Sequence, residues 1–213
     1  MLGHTVKRAG RPVIVSTEHN TWSSYRLGTR LLNAWLYRQD AVRWAVSEPV
    51  RRSIWRFARP GVRTLVHGIV TEDFVSRPGD RERVRAELGI APDEIVACTV
   101  ANFRPEKAYP DLLAAAQHVI TADPRVRFLA VGQGPLEPDI RALHSRLGLG
   151  DRFQLLGYRS DVAAILSAAD VFVLASHFEG YPIAVMEALR MGLPVAATAV
   201  GGVPDAVEEG TVG

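Results

Sequence analysis

The stretch FQLLGYRSDVAAILSAADVFVLAS, residues 153–176, predicts a strand, a helix and a second strand in direct succession. Phe153–Leu156 is a short strand with one polar residue, Gln154, and it ends at Gly157. The helix is expected over Asp161–Ala169, and Val171–Leu174 is apolar at every position. Strands without polar alternation are buried on both faces, which is typical of a parallel sheet covered by helices. The stretch therefore predicts an α/β fold.

The same alternation extends in both directions along the chain. Toward the carboxyl end, we expect a helix over Pro182–Met191 that Gly192 ends, a strand over Val195–Thr198 and a further helix from about Pro204. The preceding part predicts, in order, a helix over Glu82–Leu88, a strand over Ile95–Val100, a helix over Tyr109–Ala122, a strand over Val126–Val131 and a helix over Glu137–Leu147. This order predicts a Rossmann-like parallel sheet, whose ligands bind beyond the carboxyl ends of its strands.

The segment from Trp22 to Arg63 differs in character, because it holds all four tryptophans and nine arginines but only two acidic residues. Apolar residues at helical spacing predict a helix over Ser24–Tyr37. Two interpretations stay open. The segment consists of helices with a solvated basic face and tryptophans in the core, or it forms a surface that meets anionic lipid or a lipid-linked acceptor.

Two domains are expected, residues 1–75 and 76–213. Arg63–His67 predicts a short strand closed by Gly68, and the polar stretch that follows it, with a turn at 78–80, is typical of a boundary. With 213 residues the chain is long enough for one domain and part of another.

Composition and charge exclude several classes of protein. The net charge of +2 gives no indication of a nucleic-acid partner. Cys98 is the single cysteine, which excludes a disulfide framework, favours a cytoplasmic location and fits a small buried residue. No apolar run approaches the ~20 residues that cross a membrane.

Polar and glycine-rich segments follow most of the predicted strands. They are Asn102–Lys107, Gly132–Gly134, Gly157–Arg159, Ser176–Glu187 and Gly201–Gly202. Cations and helix N-termini hold phosphate, whereas carboxylates accept hydrogen bonds from sugar hydroxyls. These segments together predict a site for a phosphorylated sugar compound.

The most specific segment is HFEGYPIAVMEALRMGLPVAA, residues 177–197. Pro182 suits the first helical position, where its missing N–H costs nothing, and Gly180 allows the backbone to approach a ligand closely. Glu187 lies where a carboxylate can accept both hydroxyls of a ribose. Two plainer interpretations remain, in which Glu187 is a solvated helix residue and Glu179 only interacts with the helix dipole.

The Glu-x7-Glu pair, Glu179-Gly180-Tyr181-Pro182 through Glu187-Ala188, resembles the signature of family 4 retaining glycosyltransferases with the GT-B fold. Other segments resemble the same family and extend the likeness over nearly the whole chain. They are VIVSTEHN (13–20), TLVHGIVTEDF (64–74), TVANFRPEKAYPDLLAAA (99–116), FLAVGQGPLE (128–137), FQLLGYRSDVAAILSAADVFVLAS (153–176) and TAVGGVPDAVEEGTVG (198–213). Together these motifs are more specific than any one alone.

The resemblance implies a role for each matching residue. Arg104 and Lys107 would hold the diphosphate of a nucleoside-diphosphate sugar, Glu187 the ribose and Glu179 the sugar hydroxyls. The backbone around Gly180, Tyr181 and Pro182 would face the phosphate and the sugar, and His19 would face the transferred sugar from the N-terminal domain. The base would lie beside Gly157, Tyr158 and Arg159, with the glycine loop of Gly132 and Gly134 also at this site. No metal or other cofactor is expected, and the acceptor would be a glycan or a glycolipid.

The chain departs from the family pattern at several positions. Ala101-Asn102 and Lys107-Ala108 stand where the family often has Gly-Arg and Lys-Gly, which weakens the assignment of Arg104. His67 replaces the asparagine of an Asn-Gly turn, and Asp205 stands where glutamate is more usual. The remaining histidines have no metal-ligand spacing and are expected to be structural or exposed.

Other functions remain open at this point. A glycoside hydrolase also uses two carboxylates, but it leaves Arg104, Lys107 and the glycines unexplained. A nucleotide-sugar epimerase has a similar architecture, although it is not expected to carry the Glu-x7-Glu segment. A non-catalytic nucleotide-sugar-binding fragment is a third alternative, because the resemblance implies that only part of each domain is present.

Overall fold

The computed structural model describes residues 13–207. Its strands are β1 (Val15–Glu18), β2 (Val42–Ala45), β3 (Val62–Thr64), β4 (Ile95–Val100), β5 (Val126–Val131), β6 (Phe153–Gly157), β7 (Val171–Leu174) and β8 (Val195–Ala197). Its α-helices are α1 (Leu27–Leu36), α2 (Glu48–Ser53), α3 (Asp80–Glu87), α4 (Tyr109–Ala122), α5 (Glu137–Arg146), α6 (Val162–Ala168), α7 (Ile183–Arg190) and α8 (Val203–Ala206).

The described residues divide into two compact units. The first unit contains residues 13–68 together with Phe178–Pro182 and Val200–Asp205. The second unit contains Ile69–His177, Ile183–Ala199 and residues 206–207. The assignment of residues 1–75 and 76–213 to an acceptor-side and a donor-binding domain stays a prediction.

The first unit is a parallel sheet of three strands in the order β1-β2-β3 with α1 and α2. Its core contains Trp22, whose ring meets the rings of Tyr37 and Trp55 edge-on at 5.6 Å. Ser47 caps the N-terminus of α2, and its hydroxyl accepts a hydrogen bond from the amide of Val50 over 3.3 Å. A serine in this position satisfies one of the unpaired amides of the first helical turn.

Two expectations for the segment 22–63 were wrong. An all-helical arrangement is not observed, because Val42–Ala45 forms the central strand of the sheet. The tryptophans do not share one environment either, since Trp22 is fully buried whereas Trp35 is 60% exposed.

The second unit is a five-stranded parallel sheet in the order β6-β5-β4-β7-β8. Consecutive residues of the central strand β4, from Val96 to Thr99, are all buried, as expected for a strand covered on both faces. Cys98 lies in this strand, and burial raises the pKa of its thiol to about 12. The predicted strands and helices of this part of the chain are confirmed within one or two residues. The predicted α/β fold class with Rossmann-like parallel sheets is therefore confirmed.

Two arginines, of which Arg85 is buried, stabilise the end of this sheet where its strands begin. Asp170 accepts hydrogen bonds from the amide of Val96 (2.7 Å) and from the guanidinium of Arg81 (2.6 Å). Arg85, which is 6% exposed, contacts the same carboxylate at 3.4 Å and donates to the carbonyl oxygens of Ala168 and Ala91. A buried guanidinium requires such partners, since each unpaired N–H carries a desolvation cost.

Candidate functional site

The strand order of the second unit reverses between β4 and β7. From β4 the chain proceeds to β5 and β6 on one side, and it later returns to form β7 and β8 on the other. In open α/β sheets, ligands bind in the crevice where the order reverses. The loop after β4 carries Arg104 and Lys107, and the loop after β7 leads toward Glu179. The two loops are joined there, because the amide of His177 donates a 2.9 Å hydrogen bond to the carbonyl oxygen of Glu106.

Two aromatic side chains, Phe103 and Tyr109, pack together at the loop after β4. The ring of Tyr109 meets that of Phe103 edge-on at 4.7 Å, and its hydroxyl donates to the carbonyl oxygen of Ala101 over 2.8 Å. Both rings are fully buried. The loop then turns through the 3₁₀ segment Pro105–Lys107. The aromatic packing thus fixes the backbone that presents the two cations.

The two cations of this loop differ in exposure. Arg104 is exposed, and its guanidinium has no hydrogen bond or ion pair with any residue from 13 to 207. Lys107 is half-buried at the end of the 3₁₀ turn. An exposed guanidinium without a protein partner keeps its forked donors available for an anion such as phosphate.

Ala108 follows Lys107 in the left-handed conformation, with φ +48° and ψ +41°. It is the one described residue other than glycine with a positive φ. Because an L side chain is strained in this region, the conformation explains why glycine is the usual residue after the lysine in the resembling family. The departure at Ala108 therefore keeps the backbone shape and adds local strain.

The backbone of the glycine loop after β5 packs directly against the backbone of the loop after β4. A Cβ on Gly132, whose φ is +155°, would lie 2.0 Å from the carbonyl oxygen of Ala101. A Cβ on Gly134 would lie 2.5 Å from the carbonyl oxygen of Phe103. The amide of Phe103 also donates to the carbonyl oxygen of Gln133 over 3.1 Å. The close approach of the two backbones therefore requires glycine at both positions, whether or not a ligand binds there.

The segment after β6 combines an exposed aromatic ring with a paired arginine. Tyr158 is 71% exposed. Arg159 forms a two-pronged ion pair with Asp161, both distances being 2.8 Å, and a further one with Glu87 at 2.6 Å. These hydrogen bonds raise the pKa of Arg159 and lower those of both carboxyls. The Arg159 side chain therefore connects α3 to the start of α6.

Glu187 lies on α7 and is half-buried. Burial raises the pKa of its carboxyl, and no described residue between 13 and 207 donates a hydrogen bond to it. A partly desolvated carboxylate without a partner is costly in the folded protein, and such groups concentrate at functional sites. The helix begins at Ile183, so the prediction that Pro182 is its first residue was wrong by one position.

The first unit holds the other glutamate of the pair together with His19. Glu179 is 6% exposed, and Gly180 is so close to His19 that a Cβ would lie 1.7 Å from the carbonyl oxygen of His19. The amide of Gly202 donates to the carbonyl oxygen of Gly180 over 3.0 Å. Burial, with the charge of Asp205, raises the pKa of Tyr181. Only glycine can occupy position 180 without moving one of these backbones.

The structure thus groups the predicted residues within each unit. In the second unit, the loop that carries Arg104 and Lys107 is hydrogen-bonded to the loop that contains Gly132 and Gly134. In the first unit, His19 contacts Gly180. A common role of Glu187, Tyr158 and Arg159 with the two cations stays a prediction.

The sequence alone did not reveal the contacts of two residues, Tyr109 and His67. Tyr109 was predicted only as the first residue of a helix, although an aromatic residue immediately after a cationic loop is a usable signal for packing beneath it. His67 was expected to be structural or exposed, but its Nε2 lies 3.3 Å from Nδ1 of His19. Spacing could not reveal this contact, since 48 residues separate the two histidines.

No helix among residues 13–207 is long and apolar enough to cross a membrane. Within the same range no group of three or more histidine, cysteine or acidic side chains has the arrangement of a metal site.

Comparison with known proteins agrees with this architecture. The profile of the family described as glycosyl transferases group 1 matches residues 80–213. A D-inositol 3-phosphate glycosyltransferase from Segniliparus rotundus is 39% identical over 139 residues, which cover 62% of this chain and 31% of that protein. An N-acetyl-alpha-D-glucosaminyl L-malate synthase from Bacillus anthracis is 28% identical over 218 residues, which cover 100% of this chain and 55% of that protein.

A solved structure shares the fold. The crystal structure of Anabaena Alr3699/HepE in complex with UDP-glucose matches with a TM-score of 0.84 and 23% identity, covering 94% of this chain and 57% of that one. The chain therefore spans between about a third and just over half of the length of these proteins. Because the family profile matches more than half of this chain, the chain belongs to the glycosyl transferases group 1.

Proposed function

We propose that this chain is part of a glycosyltransferase that moves a sugar from a nucleoside-diphosphate sugar to an acceptor with retention of configuration. One observation carries the proposal. The loop with Arg104 and Lys107 is hydrogen-bonded, through Glu106 and His177, to the loop that leads into the Glu-x7-Glu segment, and this junction lies where the strand order reverses. The UDP-glucose in the Anabaena structure, a protein of similar fold, supports a sugar nucleotide as the ligand.

The roles follow the chemistry of each group. Arg104, Lys107 and the start of α7 hold the diphosphate, because guanidinium, ammonium and helix amides all favour phosphate. Glu187 accepts hydrogen bonds from the ribose hydroxyls, which supplies the partner that its carboxylate lacks. Glu179 does the same for the sugar, with the backbone of Gly180, Tyr181 and Pro182 beside it.

The remaining residues are assigned to the same ligand. The backbone of Gly157, Tyr158 and Arg159 lies beside the base, while the Arg159 side chain stays with its two carboxylates. Gly132 and Gly134 shape the loop, and His19 faces the transferred sugar. Residues 1–75 form the acceptor side and residues 76–213 bind the sugar donor, without a metal or another cofactor.

The reaction needs no protein nucleophile. The bond between the anomeric carbon and the diphosphate oxygen breaks, and the bond to the acceptor oxygen forms on the same face of the sugar. The departing phosphate oxygen takes the proton of the acceptor hydroxyl. Negative charge grows on the diphosphate as the first bond breaks, and Arg104 and Lys107 stabilise that charge.

Two variants test the proposal. We expect Glu187→Ala to weaken the binding of UDP-glucose in calorimetry, and Lys107→Ala to lower the release of UDP more than it lowers affinity. A screen of nucleotide sugars by thermal shift identifies the preferred sugar donor. Unchanged affinity in Glu187→Ala would remove the ribose assignment.

Two alternatives make different predictions for the same assay. A non-catalytic nucleotide-sugar-binding fragment shifts the melting temperature with a sugar nucleotide but releases no nucleotide. An epimerase converts one sugar nucleotide into another without releasing the nucleoside diphosphate. Chromatography of the nucleotide products separates these outcomes from transfer.

We also propose a peripheral membrane contact through α1 and a cytoplasmic location. Leu27, Leu31 and Trp35 on this helix are 63%, 56% and 60% exposed, and the flanking Arg26 and Arg38 are exposed as well. Exposed apolar residues bordered by arginines are suited to the surface of an anionic bilayer, which would also carry a lipid-linked acceptor. Co-sedimentation with vesicles containing phosphatidylglycerol tests this contact, and we expect Leu31→Ser with Trp35→Ser to abolish it. Binding that persists in the double variant, or equal binding to neutral vesicles, would contradict it.

A further inference from the structure

His19 and His67 form a pair at the end of the first unit's sheet. His19 follows β1 directly, and His67 lies three residues after the end of β3. Their rings are nearly parallel, with 15° between the planes and 5.1 Å between the centroids. Nε2 of His67 lies 3.3 Å from Nδ1 of His19, within hydrogen-bonding distance.

Both backbones are anchored where these side chains leave the sheet. The carbonyl oxygen of Glu18 accepts from the amide of Val46 (3.1 Å), and the amide of Leu65 donates to Ala45 (2.9 Å). Gly180 lies against the carbonyl of His19. With the backbone held, the main freedom left to the His19 ring is rotation about its side-chain bonds, and the contact with His67 limits that rotation.

A hydrogen bond between two neutral imidazoles requires one proton between the two nitrogens. If His67 donates from Nε2, His19 carries its own proton on its Nε2. If His19 donates from Nδ1, its Nε2 becomes an acceptor. The tautomer of one ring therefore fixes that of the other, so that Nε2 of His19 is a donor in the first arrangement and an acceptor in the second.

We propose that His67 is a positioning residue that holds His19 in one orientation and one tautomer through this shared proton. The proposal rests on the proposed function only in that His19 faces the transferred sugar. It also gives a reason for histidine at a position where the resembling family has asparagine, since an imidazole reaches the neighbouring ring with a nitrogen that can donate or accept.

Two replacements at position 67 separate the hydrogen bond from ring packing. His67→Phe keeps a flat ring of similar size but has no nitrogen. His67→Gln loses the ring but places an amide near the position of Nε2, where it can still donate or accept. His118→Phe is the matched control, because His118 is an exposed histidine on α4 without a partner among residues 13–207.

The decisive measurement is the ¹⁵N chemical shift of the two His19 ring nitrogens, which reports the tautomer whether or not the protein is active. We expect one dominant tautomer in the unmodified chain and in His118→Phe. In His67→Phe we expect averaged shifts, and in His67→Gln a return toward one tautomer. Averaged shifts in the unmodified chain, or shifts that His67→Phe leaves unchanged, would overturn the proposal.

A second measurement is the release of UDP from UDP-glucose with water as the acceptor. We expect His67→Phe to lower kcat about tenfold with little change in KM, as when an outer partner of a functional histidine is lost. His67→Gln should recover most of that loss. If His19→Ala leaves kcat unchanged, the role of His19 in transfer fails, whereas the ring spectra still decide the role of His67.

Discussion

Gly134 lies against Phe103 so closely that a Cβ on the glycine would be 2.5 Å from the carbonyl oxygen and 2.9 Å from the amide nitrogen of Phe103. Real Cβ atoms do not approach backbone atoms to this distance, so a larger residue must separate the loops after β4 and β5. The cationic loop and the glycine loop can therefore keep their relative positions only while position 134 is glycine.

Gly134→Ala should destabilise the protein by about 1–3 kcal/mol, the usual cost of forcing an extra carbon into a packed site. Gly132→Ala should cost more, because its Cβ would lie 2.0 Å from the carbonyl oxygen of Ala101 and its φ of +155° is also unfavourable for alanine. Urea denaturation measures both changes. Gly68→Ala is the control, since a Cβ there has no atom within 4 Å. Equal stability of the Gly68 and Gly134 variants would contradict the packing argument.

Glu187→Gln should stabilise the ligand-free protein and weaken the binding of UDP-glucose. Burial raises the pKa of this carboxyl, so the folded state binds its proton more tightly than the unfolded state does. The stability from this group is therefore fully present below the unfolded pKa and is lost as the pH rises through the raised folded pKa, so at pH 7 the charge is unfavourable. Loss of hydrogen bonds to a charged group should lower affinity about tenfold or more.

Thermal denaturation from pH 4 to 8 and calorimetry with UDP-glucose test both effects of Glu187→Gln. The exposed Glu72 provides the control variant Glu72→Gln, for which neither quantity should change. A Glu187→Gln protein that is less stable at pH 7 and binds UDP-glucose normally would show that Glu187 is an ordinary helix residue.

Arg159→Met and Asp161→Asn should have similar, small effects on stability and leave the affinity for UDP nearly unchanged. The pair is partly exposed, so each variant should lose up to about 1 kcal/mol, and the double variant should lose less than the sum. A double-mutant cycle in urea measures the coupling. If Arg159→Met weakens UDP binding and Asp161→Asn does not, the guanidinium contacts the ligand as well as the carboxylates of Asp161 and Glu87.

Asp170→Asn should lower stability at pH 7, with a difference from the unmodified protein that shrinks in acid. Burial acts to raise the pKa of Asp170, but the hydrogen bond from the amide of Val96 and the guanidinium groups of Arg81 and Arg85 lower it below its usual value. The stability that the carboxylate provides is complete above its unfolded pKa of about 4 and is lost as the pH falls through the lowered folded pKa. Denaturation midpoints between pH 3 and 7 show this convergence, and Asp73→Asn, at an exposed position, should show no such trend.

The fold of the second unit could be predicted from the sequence because its signals are local. A run such as Val171–Leu174 is apolar throughout, and helix α4 has the predicted bounds Tyr109–Ala122. Strand β2 was missed since it is only four residues long and contains Arg43 between two apolar residues. Its identity depends on pairing with β1 and β3 rather than on its own pattern.

The candidate site could be predicted as a set of residues but not as an arrangement. Motif resemblance singled out Arg104, Glu187 and Gly134 without the reasons that the structure supplies. The missing partner of Glu187 and the backbone contact of Gly134 arise from tertiary packing, which leaves no periodic signal. For the same reason the ion pairs of Arg159 could not be distinguished in advance from a contact with a ligand.

The left-handed backbone of Ala108 has a consequence for how this sequence can change. Alanine and glycine codons differ by a single base, so one nucleotide substitution converts the strained Lys107-Ala108 pair into Lys-Gly. Such a change removes a conformational cost of about 1 kcal/mol but also removes a buried methyl group, 2% exposed in this protein. Because the two effects are of similar size, either residue can persist by drift, and neighbouring mutations that tighten or loosen the space around the methyl group decide which of them selection retains.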